Sequence, residues 1–150
     1  MMYNHIVDLE SPVNNADLIA IERRFGFSFP DTVRMHYLAF NGGRPVKNLF
    51  QKDGEYFQIQ EFLPIKHGRA GCRFEDAYQD LVIDTPEFPK YLMPIAVDPG
   101  GDYYCVSMRP RDVECIYCHV HEYFDDPDRA VIYLARSINE FLNGMSAAEE

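Results

Sequence analysis

The 150-residue sequence contains no tryptophan, no long apolar run and only 14 basic side chains. No stretch approaches the roughly 20 apolar residues that a membrane-spanning helix needs. The first ten residues, MMYNHIVDLE, lack the basic start and the apolar run of a secretory signal. The four cysteines are therefore expected to be reduced thiols in a cytoplasmic protein.

Acidic side chains outnumber basic ones by 24 to 14, which gives a formal net charge of −10. Such a surface repels nucleic-acid phosphates and anionic lipids and attracts basic partners. We therefore predict neither a nucleic acid nor a membrane as partner. The alternative explanation is that the negative charge only keeps the protein in solution.

The chain is long enough for one domain with its own core. Domains most often have roughly 100–150 residues, and 47% of this sequence is hydrophobic, with 11 Phe and 10 Tyr to supply large apolar areas. A core of this kind needs neither disulfides nor a metal. We predict a single domain over residues 1–150.

The N-terminal part of the sequence predicts two helices in a hairpin. Asn14 or Asn15 can cap the first helix, with Asp17 in its first turn, and Gly26 suits the left-handed position after its end. An αα-hairpin of this kind requires a sheet to cover its apolar faces.

The second helix of the hairpin is predicted to start at a capping box of Ser28 and Asp31. Its apolar stripe is Val33, Tyr37 and Phe40, and the triplet at 41–43, Asn-Gly-Gly, is expected to end it.

The rest of the chain predicts strands in residues 48–65, a middle helix from Phe74 to about Ile83, and a sheet in the C-terminal half. The four strand-length runs of this sheet are MPIAVD, YYCVSM, CIYCHVH and AVIYLA. A last amphipathic helix follows a second capping box, Ser137 and Glu140. The predicted class is α+β, with a mainly antiparallel sheet, an N-terminal αα-hairpin, a middle helix and a C-terminal helix.

Three motifs, in order along the chain, resemble those of the SUKH superfamily, the Smi/Knr-type domain. The first motif consists of Glu22, Gly26, Phe29, Pro30, Asn41, Gly42 and Gly43. The second consists of Met93, Pro94, Ile95, Ala96, Asp98, Gly100, Gly101 and Asp102. The third consists of Ser137, Ile138, Glu140, Phe141 and Leu142. Phe29 stands where Leu is more usual, and residues 44–90 carry little of the pattern.

The resemblance implies a protein-binding function. The superfamily includes yeast cell-wall-synthesis regulators and many bacterial immunity proteins, which neutralise toxins such as nucleases or deaminases. It offers no catalytic residues to transfer to this chain. The expected function is therefore a non-enzymatic immunity protein that occludes the active cleft of a cognate toxin. A regulatory or scaffold module without a toxin partner is the alternative.

The run CIYCHVH, residues 115–121, is the strongest signal for a cofactor. Cys115, Cys118 and His119 match the c-type haem attachment pattern, and Cys-x-x-Cys also occurs in zinc and redox sites. However, residues three apart on a strand face opposite sides, so the two cysteines would not hold one ligand together. We predict ordinary strand cysteines and no cofactor.

Two further patterns allow a metal. His119 and His121 are two residues apart, which would place both imidazoles on one face of a strand, but a structural zinc site needs four protein ligands. Asp98 and Asp102 are of the type that holds magnesium in nucleases, yet turn chemistry already explains them. We predict no metal, and a metal-dependent enzyme remains the least favoured function.

The predicted partner-binding surface is an acidic rim at the loops of the sheet, with two tyrosines as aromatic anchors. The acidic rim consists of Asp98, Asp102, Glu122, Asp125, Asp126 and Asp128, and the tyrosines are Tyr103 and Tyr117. Acidic residues would steer a basic toxin such as a nuclease and mimic its phosphate substrate. For any single acid, solvation of a turn is an equal explanation. Exposed strands are also compatible with a homodimer.

Overall fold

The computed structural model describes residues 4–147 and shows the predicted α+β class. The strands are β1 (Ile6–Val7), β2 (Arg44–Pro45), β3 (Leu49–Lys52), β4 (Glu55–Gln58), β5 (Glu61–Phe62), β6 (Leu92–Val97), β7 (Tyr103–Ser107), β8 (Ile116–His119) and β9 (Val131–Ala135). The helices are α1 (Asn15–Phe25), α2 (Asp31–Ala39), α3 (Phe74–Ala77), α4 (Pro127–Ala130) and α5 (Ile138–Asn143). The N-terminal helix pair, the middle helix, the antiparallel sheet and the C-terminal helix are all present.

The main sheet has five antiparallel strands in the order β5-β6-β7-β8-β9, and two small sheets pair β1 with β2 and β3 with β4. Tyr103 lies opposite His119, and His119 lies opposite Val131. The start of β7, the end of β8 and the start of β9 therefore meet at one end of the sheet. The turns that follow β6 and β8 lie at this same end.

The caps predicted for α1 are confirmed. The Asn14 side chain accepts a hydrogen bond from the backbone N–H of Asp17, and the Asp17 carboxylate accepts one from the backbone N–H of Asn14, each at 2.9 Å. Gly26 follows the helix with φ of 79°, in the left-handed region where a side chain is unfavourable.

The capping box predicted for α2 is wrong. Pro30 occupies the cap position and no side chain caps the helix. The segment between the two helices is held by a residue of α1 instead. The Glu22 carboxylate accepts the backbone N–H of Phe29 at 2.7 Å and pairs with the Arg34 guanidinium at 2.5 Å. A contact between the two helices thus replaces the local cap.

Asn41 follows the end of α2 and bonds to two other segments of the chain. The helix ends at Ala39, and the Asn41 side chain is buried. Its amide donates to the carbonyls of Ser11 and Ile65, and its oxygen accepts the backbone N–H of Ile65 at 2.7 Å. This side chain therefore joins the end of the helical hairpin to the buried segment that follows β5.

The middle helix has the predicted extent but not a uniform geometry. After α3 it continues as a π-helical segment, Tyr78–Ile83. Its buried face consists of Phe74, Ala77, Tyr78 and Val82. The middle helix packs against β6.

The strand predicted at CIYCHVH is shorter than expected. It runs only from Ile116 to His119, Cys115 precedes it, and His121 begins a 3₁₀ turn, His121–Tyr123. The prediction that His119 and His121 are strand neighbours on one face is therefore wrong. The turn forms because Asp102 holds both the backbone N–H and the ring of His121.

The C-terminal helix α5 packs against α2 and β9. Ser137 accepts the backbone N–H of Glu140 as predicted, but the Glu140 carboxylate pairs with Arg136 instead of completing the capping box. The ring centre of Phe141 lies 5.0 Å from that of Phe50 and 5.4 Å from that of Tyr104 on β7.

Within residues 4–147, no helix is long and apolar enough to cross a membrane. The prediction of one domain over residues 1–150 extends at both ends beyond the described residues, and it stays a prediction.

Candidate functional site

The six acids of the acidic rim lie at one end of the main sheet. Asp98 and Asp102 belong to the turn between β6 and β7, and the other four belong to the segment between β8 and β9. The strand register brings these two segments together, because the start of β7 lies beside the end of β8. The structure thus places together acids that are up to 30 positions apart in the sequence.

Asp98 shapes the first turn of the rim. Its Oδ1 accepts the backbone N–H groups of Gly100 and Asp102, at 2.9 and 2.8 Å. Gly101 has φ of 99°, which a residue with a side chain rarely adopts. The turn chemistry expected for Asp98 is confirmed, and one of its carboxylate oxygens makes these bonds.

Asp102 connects the first segment of the rim to the second. Its Oδ1 lies 2.5 Å from Nδ1 of His121 and accepts the backbone N–H of His121 at 3.1 Å. The Asp102 side chain is 20% exposed, whereas that of His121 is 64% exposed. The pair fixes the position of the segment that carries the other acids.

The second segment presents its carboxylates to solvent. Glu122, Asp125 and Asp128 are exposed. Asp126 caps the short helix α4 by accepting the backbone N–H of Asp128 at 3.2 Å. Exposed carboxylates of this kind are available for a partner, since they are not bound within the turn.

Tyr103 lies beside the rim at the start of β7. Its ring is half-buried, and burial, with a smaller contribution from Asp80, raises the pKa of its hydroxyl. It is therefore a neutral aromatic side chain at the acidic end of the sheet.

Tyr117 lies two residues further along the same face, away from the rim. Its hydroxyl donates to Asp112 at 2.5 Å, and its ring packs edge-on against Tyr133. Burial, followed by the hydrogen bond to Asp112, raises the pKa of Tyr117 to about 12. The structure does not bring Tyr117 to the acidic rim.

The network around Tyr117 was not predicted from the sequence. Arg109 pairs with Asp112 at 2.5 Å, and its guanidinium lies 3.7 Å from the ring centre of Tyr91. Burial alone would raise the pKa of Asp112, but hydrogen bonds from Arg109 and from two hydroxyl groups lower it to about 2. In the sequence, residues 109–112 indicate only a turn. The contact with Tyr91 has no local signal, because Tyr91 comes from a separate segment of the chain.

A cleft beside the rim was also missed. This aromatic cleft has a volume of about 230 Å³ and is lined mainly by Leu81, Phe88, Tyr103, His119, His121 and Phe124. Phe124 is 53% exposed within an acidic loop, and a large apolar residue in such a loop was the one available signal.

The two histidines meet at this cleft without forming a metal site. His119 is buried and its ring lies 4.6 Å from that of Phe88, while His121 bonds to Asp102. In the described part of the chain, no three His, Cys, Asp or Glu side chains come together in a way that would hold a metal.

The cysteines are free thiols with different surroundings. Cys105 and Cys118 are buried, while Cys72 and Cys115 are half-buried. Burial raises the pKa of both buried thiols, so neither favours the reactive thiolate. Asp102 could orient His121 as a general base, but the buried thiols of Cys105 and Cys118 are unsuited to act as the nucleophile.

A comparison with curated proteins gave no significant match. The sequence model of the SMI1/KNR4 family (SUKH-1) matches residues 12–144. This match covers the helical hairpin, the main sheet and all of α5, and it agrees with the resemblance seen in the three motifs. The chain belongs to the SMI1/KNR4 family (SUKH-1).

Proposed function

We propose that the chain is an immunity protein that neutralises a cognate bacterial toxin by covering the active cleft of that toxin. Family membership supports an immunity or regulatory protein-interaction domain. The acidic rim is the observation that favours a basic toxin, because six acids from two chain segments lie at one end of the sheet. A nuclease, whose cleft must attract phosphate, is the type of toxin that this surface would suit.

The proposed mechanism is occlusion and not catalysis. Asp98 and Asp102 use carboxylate oxygens to hold backbone groups and His121, so they shape the surface. The exposed acids Glu122, Asp125 and Asp128 would steer the toxin and pair with its basic residues. Tyr103 is the aromatic anchor at the rim, and Tyr117 extends the surface along the same face.

We further propose that the protein acts in the cytoplasm. Its four cysteines are unpaired, as expected in a reducing compartment. An immunity protein in this compartment would meet a toxin as it enters the cell or as it is made there.

The test is co-expression with a candidate toxin encoded by a neighbouring gene. We expect cells to survive with the wild-type chain and the purified proteins to form a complex. Failure of both rescue and binding would refute the immunity function and leave the regulatory alternative.

The role of the rim is tested with two matched double variants. Glu122→Gln with Asp125→Asn removes two exposed charges from the rim, and Asp53→Asn with Glu55→Gln removes two from the hairpin of β3 and β4. We expect the rim variant to reduce the association rate about tenfold or more at low salt, and the hairpin variant to change it less than about twofold. Equal effects of the two variants would refute the rim as the interface.

A further inference from the structure

The aromatic cleft opens next to the acidic rim and offers an apolar surface that no side chain of the described residues fills. Its volume is about 230 Å³. Phe88 and His119 are buried in its wall, with ring centres 4.6 Å apart, and Phe124 is 53% exposed at its mouth. A side chain entering the cleft would therefore contact aromatic rings from two sides.

The His119 ring is a buried polar group in the wall. His119 is only 5% exposed, and within residues 4–147 its ring forms no hydrogen bond with another side chain. Burial lowers the pKa of His119, which keeps the imidazole neutral at pH 7. His119 therefore adds no positive charge to the wall.

The charges around the cleft are mainly negative. Glu87 is exposed and lines the cleft, and Asp80 is close enough to Tyr103 to raise the pKa of its hydroxyl. One neighbouring cation, Lys90, donates to the backbone carbonyls of Val82 and Thr85. A cation entering the cleft would meet a negative field, to which the net charge of −10 adds.

We propose that the aromatic cleft receives an arginine side chain of a basic protein partner. Arginine combines an apolar stem, which would lie along Phe88 and Tyr103, with a planar cation that stacks on an aromatic ring such as Phe124. Its guanidinium would reach the Glu87 carboxylate at the mouth, as a charge-assisted hydrogen bond requires. The proposal deepens the immunity function and rests on it for the choice of a protein partner.

Arginine fits the aromatic cleft better than lysine or a purely apolar side chain does. A lysine ammonium is more strongly hydrated and does not stack, so it would lose more on entering an apolar cleft. A purely apolar side chain would fill the cleft but leave the negative field unused. The charge and the rings together therefore select arginine.

The probe is N-acetyl-arginine methylamide, titrated into the full chain and followed by NMR, with the lysine and norleucine analogues as comparisons. We expect saturable shifts at Phe88, Tyr103, His119 and Phe124, and an affinity at least about threefold higher for arginine than for either analogue. Shifts that are spread over the surface, or equal for all three probes, would overturn the proposal.

Two exposed positions test the geometry without disturbing the core. Phe124→Ala is expected to weaken arginine binding about tenfold, and Glu87→Gln about threefold, with the norleucine analogue unaffected by Glu87→Gln. Glu55→Gln, on β4, is the matched control and should leave binding unchanged. Binding that survives both Phe124→Ala and Glu87→Gln would contradict the assignment.

The probe needs no toxin, so the two proposals fail separately. Rescue from the toxin without arginine binding refutes the cleft and preserves the immunity function. Arginine binding with no rescue preserves the cleft as a cation-binding site and refutes the immunity function.

Discussion

Acidification from pH 7.5 to pH 5 is expected to destabilise the protein through His36. His36 is 6% exposed, its ring lies 4.7 Å from that of Phe62, and its Nε2 has no hydrogen-bond partner within residues 4–147. Burial lowers the pKa of His36 from 6.5 to about 4. The folded protein therefore keeps this imidazole neutral in a range where the unfolded chain binds a proton.

The size of the effect follows from the two pKa values. Between pH 6.5 and pH 4 the unfolded state holds more protons than the folded state, so the free energy of unfolding falls as the pH falls. For pKa values of 6.5 and about 4, the loss is roughly 2 kcal/mol at pH 5 and levels off at roughly 3 kcal/mol below pH 4. A loss of 2 kcal/mol is a large part of the stability of a typical domain.

The assay is urea unfolding at pH 7.5, 6 and 5, followed by circular dichroism. His36→Phe keeps an aromatic ring in the same packing but cannot titrate, so we expect it to lose roughly 2 kcal/mol less than the wild type between pH 7.5 and pH 5. His5→Gln, at an exposed position, is the matched control and should behave as the wild type. Carboxylates that titrate in this range are present in all three proteins, and their effects cancel in the comparison.

Two results would refute this reasoning. One is a His36→Phe variant that loses as much stability on acidification as the wild type. The other, which does not depend on any variant, is an NMR titration of the folded protein in which the His36 ring protonates near pH 6.5.

Three further substitutions test contacts of the helical hairpin and of the segments next to it. Asn41→Ala leaves backbone groups of Ile65 without partners in the core and is expected to cost roughly 2–4 kcal/mol in urea unfolding. Gly43→Ala places a Cβ 2.7 Å from Cγ2 of Ile6 at a φ of 88°, so we expect a cost of at least roughly 2 kcal/mol in the same assay. Glu22→Gln weakens the pairing with Arg34 and is expected to cost roughly 1–2 kcal/mol at pH 7, measured by thermal unfolding.

Each of these predictions has a matched control and a contrary outcome. The control for Asn41→Ala is Asn143→Ala and the control for Glu22→Gln is Glu55→Gln, both at exposed side chains. The control for Gly43→Ala is Gly54→Ala, at a glycine with φ of 81° and no atom within 4 Å of the added Cβ. Burial alone would raise the pKa of Glu22, but the hydrogen bond from Arg34 lowers it, so the cost of Glu22→Gln should shrink as the pH falls through this lowered pKa. A target variant no less stable than its control would contradict the corresponding contact.

Local signals in the sequence predicted those features whose causes are local. The cap of α1 involves residues three apart, Asn14 and Asp17, and the turn at Asp98 involves residues within four positions. The pattern at residues 28–31 failed as a cap because the helix begins only after Pro30, which takes the cap position, and Glu22 of the preceding helix holds the backbone N–H of Phe29. Local patterns therefore predict a cap only where they also predict the first residue of the helix.

The acidic rim was predictable, but the aromatic cleft was not. Antiparallel strands joined in sequence place alternate turns at the same end, so acids in the turns after β6 and β8 had to be neighbours. The cleft needs Phe88, which comes from a loop with two prolines before β6, to fold back onto the main sheet beside His119. No periodicity indicates where such a loop folds back.

The arrangement of the rim places like charges together at some cost to the free protein, since carboxylates at one end of a sheet repel one another. The structure offsets this cost with bonds that fix the backbone, at Asp98 through two N–H groups and at Asp102 through His121. The exposed acids Glu122, Asp125 and Asp128 have no such compensation in these turns. A basic partner would relieve their repulsion, and the same partner could place a cation in the adjacent cleft. Bonded acids that hold the shape and exposed acids that keep their charge are thus the division that the proposed binding surface requires.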